Sequence, residues 1–161
     1  MRANFVRAMV FAVFAFLAAP SLYAQTGAVP DKDLQLLRKD LRSMKKQLVA
    51  ANLPLTDTEA QKFWPVYEQY TAETIKLYDA RYAIVKDYAD HINNLTDEQA
   101  QSIARRWSDA DAAAIQLRQK YFPLFEKAIP GKKTALFFQI DRRLALMIDL
   151  QLASEIPLVQ P

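Results

Sequence analysis

The chain has 161 residues, with 21 lysines and arginines against 18 acidic residues, one histidine, no cysteine and two glycines. A formal charge of +3 is too small an excess for a nucleic-acid binder. The absence of cysteine removes disulfides and thiol chemistry, and with only His91 beside it argues against a transition-metal site.

The first residues read as a secretory signal. Arg2 and Arg7 supply the positive start, Val10 to Ala19 form an apolar stretch, and Pro20 leads through SLYA to an expected cleavage after Ala24. The apolar stretch is about half the roughly 20 residues that a membrane anchor requires. Without Arg2 and Arg7 the exported chain carries 19 basic and 18 acidic residues, so it is close to neutral. Residues 25–161 are the right length for a single domain.

Gly27 falls in the linker after the signal and Gly131 in a turn, which leaves none for tight hairpins or phosphate loops. Helical spacing takes their place, and an all-α fold is expected. Leu34, Leu37, Leu41, Met44 and Leu48 mark a first helix over 31–51. A second, over 57–92, carries Phe63, Tyr67, Tyr70, Thr74, Leu77, Arg81, Ile84 and Tyr88 on one stripe, and Asn93 and Asn94 end it. It spans on the order of 50 Å at 1.5 Å per residue. The third, over 97–129, places Ile103, Trp107, Ala110, Ala114, Leu117, Tyr121 and Leu124 on a stripe and stops at Pro130-Gly131. The fourth, over 133–154, is apolar on most faces, with Leu136, Phe137, Ile140, Leu144, Met147 and Ile148 on its densest side. Asp141, Arg142, Arg143 and Asp149 lie in its middle, where each charge would cost a bilayer span about 2.5–3.5 kcal/mol, so a buried or dimer-facing helix is expected. The architecture is a long antiparallel hairpin flanked by N- and C-terminal helices, with a homodimer as the default pairing of such helices.

Charge is segregated by segment. Residues 31–50 hold six basic and three acidic residues, 54–102 hold four and nine, and those from Ile103 onward hold nine and six. Opposed fields of this kind place the second helix between its neighbours. WPVYE at Trp64–Glu68 and FPLFE at Phe122–Glu126 each put an aromatic before a proline, and two readings stay open: a kink within a helix, or the start of a new helical segment.

LTDTEAQ at Leu55–Gln61 returns as LTDEQAQ at Leu95–Gln101. Thr56 and Thr96 are N-cap residues, Asp57 and Asp97 suit the helix dipole, and Glu59 and Gln99 fall at N3, giving a capping box twice. Leu55 and Leu95 occupy the staple position, but Ala60 and Ala100 are small partners. Capping does not require Gln61 and Gln101 to recur.

These residues carry a resemblance. Leu95, Thr96 and Gln99 match the LTxxQ motif of the Spy/CpxP family of periplasmic chaperones, and Leu55, Thr56 and Glu59 resemble it with Glu in the place of Gln. The resemblance implies a periplasmic, ATP-independent, non-enzymatic and dimeric all-α protein. It would hold unfolded or misfolded envelope proteins on a helical surface, without a cofactor. A different reading is a signalling accessory that binds one partner, such as the periplasmic domain of a sensor kinase. Beyond the motif, Trp64, Tyr67, Tyr70, Tyr78 and Tyr82 form an aromatic stripe and Arg38, Arg42 and Lys45 a basic face. Each is a candidate client or partner surface; the plainer readings are a core border for the tyrosines and a solvated face for the cations. No GxSxG, HExxH, GxGxxG or phosphate loop occurs, so no catalytic site is expected.

Overall fold

The computed structural model of the chain describes residues 43–159, all within the unit Leu41–Pro161. The expected signal peptide, Arg38, Arg42 and the first turns of the helix expected over 31–51 lie outside the described residues. Those residues are all-α. They comprise α1 (43–52), α2 (Asp57–His91), α3 (Asp97–Ala128) and α4 (Gly131–Glu155).

The helix starts follow from local chemistry. Thr56 Oγ accepts from the Glu59 N–H at 3.3 Å while the Glu59 carboxylate accepts from the Thr56 N–H at 2.7 Å. Thr96 and Gln99 repeat the exchange at 3.3 and 2.9 Å, so both expected capping boxes are closed. Each satisfies two backbone donors that a helix end would otherwise leave orphaned. Thr56→Ala and Thr96→Ala should each lower stability by about 1 kcal/mol, read as equal shifts of the urea midpoint. The helix α4 starts differently: Pro130 at its N-cap has no side-chain acceptor, and the N–H groups of Lys133 and Thr134 donate instead to the Pro130 carbonyl.

Both α2 and α3 run unbroken through Pro65 and Pro123, so neither proline starts a new segment. Each leaves one carbonyl a turn earlier without its helical donor.

Cross-links define the arrangement. Along α2 and α3, Glu73 meets Lys120 and Tyr121, Arg81 meets Asp111, and Asp87 meets Arg106, with numbers falling on one helix as they rise on the other. That is the antiparallel hairpin. Along α2 and α4, Glu59 meets Lys133, Tyr70 meets Asp141 and Arg81 meets Asp149, and Tyr88 meets the Pro157 carbonyl just past the end of α4, all ascending together. These two helices are parallel. On α1, Lys46 bonds Glu68 at 2.5 Å. The acidic α2 therefore makes ion pairs with all three of its neighbours, as its charge balance leads one to expect. Such exposed pairs fix arrangement more than they add stability.

The core sits where all four helices meet. Phe63, Phe125 and Phe137 are fully buried, Val49 of α1 and Leu53 just after it close them, and the Phe125 and Phe137 ring centroids lie 4.4 Å apart. Toward the far end of the hairpin the buried residues become Ala110, Leu117 and Ala145 with Ile84 and Tyr88. Small alanines leave room there for Arg81, whose guanidinium lies over the Trp107 ring at 6.0 Å.

Candidate functional site

The two repeated phrases sit at helix-starting corners on either side of α2. In the first, Leu55 packs on the aromatic core, and Glu59 has a second partner that Gln99 lacks: Lys133 Nζ at 2.5 Å. This gives a physical reason for one of the two differences between the copies, Glu59 against Gln99; the other is Thr58 against Glu98. A carboxylate at position 59 keeps the cap and also ties α2 to the first turn of α4. The Lys133 hydrogen bond, then the Thr56 N–H, hold the Glu59 carboxyl below its ordinary 4.5. Because the folded value is the lower one, Glu59 contributes fully above pH 4.5, and its contribution fades as pH falls through the lowered value. Glu59→Gln should leave the capping box intact and lower the urea midpoint at neutral pH. The gap from the parent chain should close on acidification below 4.5.

The aromatic stripe of α2 divides. Tyr67 and Tyr70, candidates for a client surface, are buried in the core, as is Tyr88. Trp64 and Tyr78 are half-buried, and Tyr82 alone of the stripe is exposed. Rings facing inward from α2 are covered by α1 on one side and α4 on the other. Burial pushes the Tyr67 phenol up to about 12 and raises Tyr70 further, with Asp141 beside it adding to the rise. Both stay protonated; the Tyr70 hydroxyl donates to Asp141, whereas the Tyr67 hydroxyl is buried without a hydrogen-bond partner. Of the basic face, Lys45 is turned inward: its Nζ lies 2.7 Å from Asp141 Oδ1, as an ion pair rather than a directed hydrogen bond. Asp141 Oδ2 accepts from the Tyr70 hydroxyl at 2.8 Å, and Arg118 Nε stands 4.0 Å away. This buried carboxylate joins α1, α2 and α4 in one polar knot.

The surface that remains open lies along α3 and α4. Phe122 stacks on Phe138 with centroids 5.2 Å apart, and Ile115 and Leu146 line one cleft further along. Those pairs run in antiparallel register, Phe122 and Ile115 of α3 against Phe138 and Leu146 of α4, and Leu150 follows one turn beyond Leu146. Ile115 is 53% exposed, Leu146 48% and Leu150 71%. The cleft at their centre measures about 280 Å³ and is lined also by Arg81, Arg118 and Arg142. A smaller cavity of about 30 Å³ leads inward from it to Lys45 and Asp141, with room for a water. In the sequence the α4 charges count against a membrane span and for a buried or dimer-facing helix, without naming their partners. A charge inside a helix that is apolar on most faces is also a signal of a buried partner.

Among the described residues, no group of three histidines or carboxylates is placed to hold a metal ion, and no helix is long and apolar enough to cross a membrane. His91 Nδ1 lies 2.8 Å from the Asp87 carbonyl at the end of α2, where its ring closes the last turn. Compared with models of known protein families, with curated proteins and with solved structures, the chain matches none.

Proposed function

We propose that the chain is an exported, ATP-independent anti-aggregation protein of the periplasm that shelters apolar segments of unfolded envelope proteins. The observation that carries this reading is the line of exposed apolar side chains along the α3–α4 junction: Ile115, Phe122, Leu146 and Leu150. An exposed apolar band rimmed by charge suits weak, non-selective contact with extended chains, which bury area without demanding one partner's shape. The resemblance to the LTxxQ chaperones supports the same reading through the two capped corners. The client surface is then moved from the α2 tyrosines, which hold the core, to α3 and α4.

The test is light scattering of an unrelated aggregating protein with the purified chain added at rising ratios. Suppression near equimolar ratio is expected. The double variant Leu146→Asp with Leu150→Asp changes exposed side chains only, so it should fold yet lose most of the suppression. No suppression at large excess would sink the proposal. Saturable binding of one envelope protein, with no effect on unrelated clients, would point to the signalling accessory.

A further inference from the structure

The α3–α4 cleft holds an imbalance of charge that packing does not explain. Five charged side chains line it: Arg81, Arg118 and Arg142 against Asp111 and Asp149. Both carboxylates are taken by one guanidinium, since Arg81 Nη1 donates to Asp149 at 3.0 Å and Nη2 pairs with Asp111. The nearest further acid, Asp141, is already held by Lys45 at 2.7 Å and Tyr70 at 2.8 Å. Arg118 therefore has only the 4.0 Å approach of its Nε to Asp141, and Arg142 has no ion pair among the described residues. Arg81 Nε is buried without a hydrogen-bond partner.

We propose that this cleft binds a carboxylate carried on a short apolar chain, gripped by Arg118 and Arg142 with its hydrocarbon against Ile115 and Leu146. A guanidinium presents a planar fork of donors that matches a planar carboxylate and is less costly to desolvate than an ammonium. Two such groups beside two exposed aliphatic side chains make a site with one charged end and one apolar wall. The volume of about 280 Å³ lies at the lower edge for small-molecule sites, so one carboxylate and a few carbons fit and a bulky ligand does not. The cleft shares Ile115 and Leu146 with the apolar band, yet direct binding of a small carboxylate can be read whether or not that band also shelters unfolded chains.

Two sources share this chemistry, a medium-chain fatty acid and the free C-terminus of a peptide ending in an apolar residue. Octanoate and N-acetyl-Ala-Leu are titrated into the purified chain by calorimetry, with octanol and the amide of the same dipeptide as uncharged controls. Saturable one-to-one binding of at least one carboxylate is expected, with its uncharged counterpart at least about tenfold weaker, and which one binds identifies the source. Arg142→Gln, an exposed change, should weaken binding about tenfold or more, and Arg118→Gln should do the same. Arg143→Gln removes the same charge from α4 outside the cleft and should leave affinity unaltered. The proposal is overturned if neither carboxylate binds saturably, if octanol binds as well as octanoate, or if Arg143→Gln weakens binding as much as Arg142→Gln.

Discussion

Phe137→Ala should lower the unfolding free energy by about 3–5 kcal/mol, a large fraction of what a domain of this size possesses. The ring is fully buried and meets Phe63, Tyr67 and Tyr70 from α2, Phe125 from α3 and Phe138 on its own helix. Its removal takes away both transfer free energy and the filling of a space that rings from three helices cannot easily close. Nothing covalent compensates, because the chain has no cysteine. Leu150→Ala is the control: that side chain is 71% exposed, and its truncation should change stability by no more than about 0.5 kcal/mol. Equal urea midpoints for the two variants would contradict a core centred on Phe137.

Why the core was only half legible follows from where the information resides. The starts of α2 and α3 are readable to the residue, because a capping box is closed by residues three apart and needs no tertiary partner. The tyrosines were different. Tyr67, Tyr70 and Tyr82 have the same chemistry and lie on one helix, and the cover supplied by Val49 of α1, Leu53 just after it, Tyr121 and Phe125 of α3 and Phe137 of α4 separates inner from outer. Helical spacing identifies a face and leaves open what it faces. The prolines repeat the lesson: Pro65 and Pro123 have strong local effects, yet packing on both sides keeps their helices continuous.

Segment charge fared better because it is a long-range property. An acidic α2 between basic neighbours implied the cross-links later seen at Glu59, Glu68, Glu73 and Asp87. The individual charges within α4 were legible only in sign. That Asp141 is buried, that Asp149 shares Arg81 with Asp111, and that Arg142 faces a cleft all depend on the parallel register of α4 against α2. Of the candidate site, Arg142 and Asp149 stand out in the sequence by their charge within an apolar helix, while Arg118, Ile115 and Leu146 belong to no motif or stripe that marks them.

Asp141 is where that register should have its largest polar effect. Its carboxylate is buried, and Asp141→Ala would leave Lys45, itself only 16% exposed, without its counter-charge and the Tyr70 hydroxyl without an acceptor. Breaking one side of a buried pair typically costs about 3–5 kcal/mol, most of it the desolvation of the charge left behind. The cost should therefore be largely relieved by removing that charge too. Lys45→Met combined with Asp141→Leu is expected to be far more stable than Asp141→Ala alone and close to the parent chain. Asp141→Asn should fall between, because it keeps an acceptor for Tyr70 and loses the attraction for Lys45. Urea unfolding of the three variants measures the coupling, and amide exchange across 43–52 reports whether α1 loosens first. If the double variant is as damaged as the single one, the knot owes its stability to shape rather than to paired charge, and Lys45 is not what holds α1 to the bundle.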